Sequence, residues 1–91
     1  MAGSPSAWTL HTHTNCNVPH ARLGASIVNS VHEAARRKEC IEHCERTPGC
    51  ASVSVRRAHS NAQNCYLSGE SNVSNCFPVK TLDAMVRQHT R

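Results

Sequence analysis

Cysteine and histidine are the residues of this 91-residue chain whose types and spacing could do chemistry. Six cysteines, an even number in so short a chain, are typical of a disulfide framework; they lie at positions 16, 40, 44, 50, 65 and 76. Structural zinc sites favour two matching, closely spaced cysteine pairs, and neither the C-x3-C of Cys40 and Cys44 nor the C-x5-C ending at Cys50 has such a twin. The spacing therefore predicts disulfides rather than zinc.

The seven histidines are scattered along the chain, at positions 11, 13, 20, 32, 43, 59 and 89. His11 and His13 have the spacing of alternate strand residues, which would put both rings on one face. No Asp or Glu lies nearby to complete a metal site, so we interpret them as exposed strand residues. The sequence predicts neither a metal nor a cofactor.

Catalytic groups are equally sparse. A cysteine nucleophile needs a free thiolate, and a disulfide framework uses all six thiols. Asp83 is the only aspartate, and no pair of carboxylates has the setting that general acid and base catalysis requires. We therefore expect a protein that is not an enzyme.

One helix is expected over residues 33–46, where good helix formers precede the stop signal Pro48-Gly49. Cys40 and Cys44 are four residues apart and lie on the same face. We predict that this face is buried, together with Ala34, the stem of Arg37, and Ile41. The opposite face is charged and is expected to be solvated; it carries Lys38, Glu39, Glu42, His43 and Arg46.

Short strands are expected around this helix. Residues 51–55 alternate small polar and apolar side chains at the period of a strand, and residues 65–67 begin another strand after a polar turn at 56–64. Further candidate strands lie at 8–12, 26–31 and 84–88, with a loop over 68–78 that contains Cys76. The prediction is an α+β fold with one helix packed on a mostly antiparallel sheet.

Length and composition indicate a single domain that depends on covalent cross-links. Only Trp8, Tyr66 and Phe77 are aromatic, and so small a chain buries a modest fraction of its surface. Disulfides persist in oxidising compartments, which predicts a secreted or extracellular protein. Residues 1–6 lack the features of a signal peptide and are interpreted as a linker or a remnant of cloning before a single domain at 7–91. No apolar stretch approaches the ~20 residues of a membrane helix, so no membrane insertion is expected.

Three short motifs resemble the PAN/apple family. They are the helix segment Glu-Cys-Ile-Glu-His-Cys ending at Cys44, the corner Thr-Pro-Gly-Cys ending at Cys50, and the Cys-Tyr-Leu that begins at Cys65. The resemblance covers about residues 8–90 and is closest to the tandem apple domains of apicomplexan micronemal adhesins, which share the aromatic-poor, Ser-, Asn- and His-rich composition. One difference is that residues 51–55 lack the aromatic that the family usually carries there, which predicts a lighter core.

The resemblance implies a disulfide pattern and a fold. It pairs Cys40 with Cys65 and Cys44 with Cys50, which ties the helix to two strands. Cys16 with Cys76 would then be similar to the additional bridge that distinguishes apple modules from minimal PAN modules. The implied architecture is PAN/apple-like, stabilised by three disulfides.

The resemblance also implies binding to a partner protein or to a cell-surface glycan, with galactose-type recognition as one form. The protein would then be one unit of a secreted multi-apple adhesin, reaching the cell exterior through an organelle such as the microneme. Galactose sites commonly stack an aromatic ring on the sugar, and Trp8 is the best exposed candidate, although edge-strand packing is its simpler interpretation. Tyr66, beside Cys65, is expected in the core.

Binding of a heparin-like polyanion is the alternative hypothesis. The net charge is +4, and five basic residues could converge: Arg36, Arg37, Lys38, Arg56 and Arg57. Glu33 and Glu42 partly neutralise this cluster at helix spacing, and a solvated charge run is the simpler interpretation. The basic residues lack interleaved aromatics for base stacking, so no nucleic acid is expected. Asn72-Val-Ser74 is an N-glycosylation sequon in the predicted loop, which suits a secreted domain.

Overall fold

The computed structural model describes residues 7–58 and 62–88. The predicted linker at 1–6 and the histidines His59 and His89 lie outside the described residues. Within these described residues, seven strands and one α-helix follow one another: β1 (Trp8–His11), β2 (Thr14–Asn15), β3 (Arg22–Ser26), α1 (Glu33–Glu45), β4 (Ser52–Arg56), β5 (Cys65–Ser68), β6 (Phe77–Pro78) and β7 (Leu82–Arg87).

Five strands form the main sheet in the order β1-β7-β4-β5-β3, and every neighbouring pair is antiparallel. β2 and β6 form a separate two-stranded sheet. Strands β1 and β3 are the two edges of the main sheet, and α1 packs against β4 and β5 at its centre. The α+β prediction of one helix on an antiparallel sheet, with three disulfides, is confirmed.

Both ends of the described chain lie at the same edge of the main sheet. Strand β1 pairs with β7 in a register that places Trp8 opposite Arg87. The ladder continues one step beyond the strands, because the Gln88 N–H donates to the carbonyl of Ala7 at 2.8 Å. The chain therefore enters and leaves this domain at neighbouring points.

The helix α1 buries a single stripe of side chains spaced four residues apart, namely Arg36, Cys40 and Cys44. The burial of both cysteines follows from their i, i+4 spacing. Ala34 was expected on this face and is exposed instead, because the stripe begins at Arg36. The helix ends before Gly49, whose φ of 81° is a conformation that favours glycine.

The core on the helix side of the sheet is built from valines and disulfide sulfur. Val53 and Val55 of β4 are fully or almost fully buried, and they pack with Leu67 and Met85 around two disulfides. These disulfides join Cys40 to Cys65 and Cys44 to Cys50. A core of this kind needs no aromatic side chain in β4.

The opposite side of the main sheet is covered by the third disulfide. Cys16 and Cys76 are bonded and pack on Ala84 and Val86 of β7. The Cys16 N–H also donates to the Ser54 hydroxyl at 2.8 Å, which fixes the segment before β3 to the middle of the sheet. All three disulfides are those that the PAN/apple resemblance implies.

The predicted strand at 26–31 is wrong, because β3 lies earlier and ends at Ser26. The Asn64 side chain explains the difference, since it accepts from the Val28 N–H at 2.8 Å and donates to the Val28 carbonyl at 2.9 Å. These bonds satisfy the Val28 backbone outside the sheet. Strands β2 and β6 were not predicted, because each has only two residues.

Within residues 7–58 and 62–88, no helix has the combination of length and apolar composition that crossing a bilayer requires.

The chain separation closed by each disulfide predicts its contribution to stability. Cys40–Cys65 spans a separation of 25 residues and Cys44–Cys50 spans 6. In the chain-entropy description these bridges contribute about 3.5 and about 2.2 kcal/mol. Replacing Cys40 and Cys65 by Ala should therefore lower the free energy of unfolding by about 1.3 kcal/mol more than the same change at Cys44 and Cys50. Urea unfolding measures both, and equal losses would contradict the loop-length explanation.

Candidate binding surfaces

Trp8 lies in β1 and is held by its own chain. The half-buried ring packs against the helix-side core, and the Arg87 guanidinium carbon lies 5.0 Å from the ring centroid. This is a cation–π distance, so the guanidinium stacks on the indole. Trp8 therefore packs within the edge of the sheet, and Arg87 covers the ring that a sugar would need.

The Tyr66 ring lines a surface depression. It lies between Cys65 and Leu67, which face the helix, so strand alternation directs its ring to the other side of the sheet. The Tyr66 hydroxyl donates to the carbonyl of Gln63 at 2.8 Å and accepts from Arg56 Nη2 at 3.2 Å. Tyr66 is half-buried rather than part of the core.

The depression beside this ring, called the Tyr66 pocket, has a volume of about 280 Å³. Its lining residues come from the edge strand β3, from the segment before it and from the approach to β5: Asn17, Arg22, Gly24, Ala25, Gln63 and Tyr66. The register of β3 on β5 sets Ala25 opposite Tyr66 and shifts between Arg22 and Gly24. Gly24 has φ 146°, so the irregularity uses the conformational freedom of glycine.

Polar groups at the Tyr66 pocket are positioned by short-range bonds. The Asn15 side-chain oxygen accepts from the Asn17 N–H at 2.8 Å, which turns the chain before β3. The Asn17 carbonyl in turn accepts from Arg22 Nε at 3.4 Å, and Arg22 itself is exposed. The pocket therefore combines one aromatic face with amide and guanidinium groups at its rim.

Arg36 belongs to the interior and not to a cationic surface. It is 2% exposed, and its guanidinium donates to the carbonyls of Ser30 at 3.0 Å, Val31 at 2.9 Å and Arg57. These bonds connect the start of α1 to the preceding loop and to the end of β4. An external polyanion cannot reach this guanidinium, so its expected surface role is not supported.

The other basic candidates are largely engaged within the chain. Arg37 Nη1 lies 2.9 Å from Glu33, and Arg57 Nη1 lies 2.9 and 3.2 Å from the two oxygens of the buried Asp83. Arg56 donates to the Tyr66 hydroxyl, as described above. Lys38 is exposed on the outer face of α1. The five predicted residues therefore do not form a single accessible patch.

A second depression, called the β1–β7 groove, lies at the other edge of the sheet and has a volume of about 380 Å³. One wall comes from β1, β7 and the residue after β7, and the other from the loop before β6: Thr9, His11, Val86, Arg87, Gln88, Ser71, Asn72 and Val73. Sequence reasoning did not identify this groove, because its walls are far apart in the chain.

His11 and His13 do not share a strand face. Strand β1 ends at His11, and His13 follows in a turn with φ 52°, where its N–H donates to Asp83 Oδ1 at 2.9 Å. Among the described residues, no three His, Cys, Asp or Glu side chains group as a metal site. The six cysteines are all disulfide-bonded.

Glu70 organises the loop that forms one wall of the β1–β7 groove. Its Oε2 accepts from the Asn72 N–H at 3.0 Å and from the Asn75 side-chain amide at 3.1 Å. The Asn72 backbone bond, followed by the Asn75 bond, lowers the pKa of Glu70 from its ordinary 4.5. The ionised carboxylate therefore holds this loop in place.

Replacing Arg36 by Met should lower the free energy of unfolding by about 2 kcal/mol, because three carbonyls lose a charged donor. The matched change Lys38→Met, on the exposed face of the same helix, should stay within about 0.5 kcal/mol of wild type. Urea denaturation distinguishes the two variants. An equally small effect at Arg36 would contradict its interior role.

The lowered pKa of Glu70 predicts the pH range in which it contributes to stability. A folded-state pKa below the unfolded value stabilises the native state above the unfolded pKa, and that contribution is lost as pH falls through the folded pKa. Thermal unfolding of Glu70→Gln should therefore show a weaker decline below pH 4.5 than wild type. The exposed Glu45→Gln variant is the control and should keep the wild-type decline.

Comparison with known proteins gives one family. The profile described as PAN domain matches residues 14–87, from β2 to the end of β7. No curated protein and no solved structure matches the chain significantly. The matched region includes all three disulfides and the helix α1, and it covers most of the sequence. The chain therefore belongs to the PAN domain family.

Proposed function

We propose that this chain is an extracellular binding module that recognises a cell-surface glycan, with a galactose-type sugar placed on Tyr66. PAN domains are modules that bind proteins or carbohydrates, and membership of this family supports a binding role. The observation that carries the proposal is the Tyr66 pocket, where an aromatic ring lies beside amide and guanidinium groups. This is the arrangement for which sequence reasoning selected Trp8.

The chemistry of the pocket suits a pyranose. The apolar face of galactose can pack on the Tyr66 ring, while Asn17, Arg22 and Gln63 offer donors and acceptors to its hydroxyls. Because the Tyr66 hydroxyl is already bonded to Gln63 and Arg56, the ring is fixed before a ligand arrives. A volume of about 280 Å³ accepts one sugar ring, so the affinity of a single domain should be low.

Weak single-site binding suits a module that works in an array. We propose that the domain is one unit of a secreted multi-apple adhesin that meets a host cell, released through an organelle such as the microneme. The three disulfides support an oxidising, extracellular setting. Linked copies raise the effective concentration of each site, so several weak contacts become firm binding.

A partner protein is the second candidate function. Leu23 in the edge strand β3 is 42% exposed, and Ile27 just after it is 47% exposed. An edge strand with exposed apolar side chains can accept a strand of another protein. The heparin-like alternative has less support, since Arg36 is buried and Arg57 is paired with Asp83.

Glycan binding is tested by titrating the domain with lactose while its amide NMR signals are followed. Shifts should concentrate on β3 and β5, and Tyr66→Ala should weaken binding roughly tenfold, because the stacking face is lost. Tyr66→Phe keeps the ring and should retain most of the affinity. Phe77→Ala is the matched control, since Phe77 is a 42% exposed aromatic that does not line the pocket.

Salt and ligand choice separate the candidates. A neutral sugar on Tyr66 should bind equally at low and physiological ionic strength, whereas polyanion binding should fall steeply. Unchanged binding in Tyr66→Ala would remove the pocket from consideration. A glycan array without any bound sugar, for the domain and for tandem copies of it, would leave the protein partner as the function.

A further inference from the structure

We propose that Asn72 is a site of N-linked glycosylation and that its oligosaccharide covers the β1–β7 groove. The proposal is independent of sugar binding at Tyr66, which lies by the other edge of the sheet. Asn72-Val-Ser74 is the only Asn-x-Ser/Thr sequence in these 91 residues, and its middle residue is not proline. The inference depends on how the fold presents this tripeptide.

All three sequon residues are exposed, and Val73 at the centre is 39% exposed. The Asn72 side-chain oxygen accepts from the Ser74 N–H at 3.0 Å and from the Ser74 hydroxyl at 2.8 Å. Among the described residues, Nδ2 of Asn72 has no hydrogen bond. The oxygen is therefore directed into the short 3₁₀ turn Val73–Asn75, and the nitrogen that would carry a sugar is left accessible.

The backbone around Asn72 is fixed independently of its side-chain nitrogen. The Asn72 N–H donates to Glu70, and the disulfide at Cys76 closes the segment on its other side. Nothing in this bonding uses Nδ2, so a substituent there leaves the loop's contacts intact. Asn72 can therefore carry an oligosaccharide in the folded protein.

The reaction needs a polyprenyl diphosphate-linked oligosaccharide and its transferase, which act in the secretory compartment where disulfides form. A bond forms between Asn72 Nδ2 and the anomeric carbon of the first sugar. The bond from that carbon to the diphosphate oxygen breaks, and the lipid diphosphate leaves with the electron pair. The proton lost from Nδ2 passes to a base of the transferase.

The attached sugar would begin at the rim of the β1–β7 groove. Asn72 and Val73 line one wall, and His11 and Arg87 line the opposite wall. The first sugar rings would therefore lie beside the side chains of His11 and Arg87 and would close the groove to other ligands. The glycosylated domain would then bind its ligand through surfaces other than the β1–β7 groove.

The test is expression of the chain in a glycosylating eukaryotic secretory host, with intact-mass measurement of the secreted protein. Wild type should carry a mass increase that peptide N-glycosidase removes, leaving Asp at position 72. Asn72→Gln and Ser74→Ala should lack the increase, whereas Ser74→Thr should keep it. These readouts require no ligand, so they succeed or fail separately from glycan binding at Tyr66.

An added sequon in the same chain supplies the positive control. Val31 is 69% exposed, and Val31→Thr completes an Asn-x-Thr sequence at Asn29, outside the groove. The double variant Val31→Thr/Asn72→Gln should be glycosylated at Asn29 alone. If this variant gains an oligosaccharide while wild type is secreted without one, glycosylation at Asn72 is overturned.

Groove covering is read from modification of His11 by diethyl pyrocarbonate, with His43 on α1 as the internal reference. Glycosylated wild type should show several-fold less modification of His11 than Asn72→Gln or the double variant. Equal reactivity of His11 in all three proteins would overturn the covering while leaving the glycosylation itself established. His43 should react alike in wild type and in Asn72→Gln.

Discussion

The bond between Cys40 and Cys65 is the constraint on which the arrangement of this domain depends. It fixes the middle of α1 to β5, the strand that lies between β4 and the edge strand β3. Once Cys65 faces the helix, alternation along β5 sends Leu67 to the same side and Tyr66 to the other. One covalent bond thus determines both which side chains form the core and which aromatic ring lines a surface pocket. A second disulfide, between Cys44 of α1 and Cys50, then holds the turn into β4.

Hydrogen bonds from buried charged side chains supplement the small apolar core of this domain. Arg36 donates to the carbonyls of the adjacent Ser30 and Val31 and to that of the distant Arg57. Asp83 accepts from Arg57 and from the N–H of His13, and Glu70 holds the loop before β6. Each of these groups is buried and forms hydrogen bonds to specific partners. Burial of Arg36 and the pairing of Arg57 with Asp83 withdraw two of the five basic residues that were expected at a polyanion patch.

Sequence patterns predicted the elements whose signals are local. The helix formers before Pro48 and the alternation at 51–55 located α1 and β4 well, since each depends on neighbouring residues. Polar contacts between residues far apart in the sequence could not be predicted from such local patterns. The pairing of Asn64 with the Val28 backbone ends β3 early, and the burial of Arg36 requires an acceptor at Arg57, beyond the end of β4, as well as the loop before α1. The expectation that Tyr66 lies in the core is wrong, because strand alternation turns its ring away from the face that Cys65 and Leu67 share.

The hydrogen bond from Gln88 to Ala7 has a consequence for any longer chain that contains this domain. The two ends of the described chain lie side by side, in β1 and its neighbour β7. The linkers to the preceding and following domains would therefore leave from the same side of each PAN domain. The β3 edge, with Tyr66 beside it, would point away from that side. Each copy could then rotate about its two adjacent tethers and present its pocket without stretching the chain. The length of the linkers between domains would then set the distance between successive Tyr66 pockets, and the length of the sheet would add almost nothing to that distance.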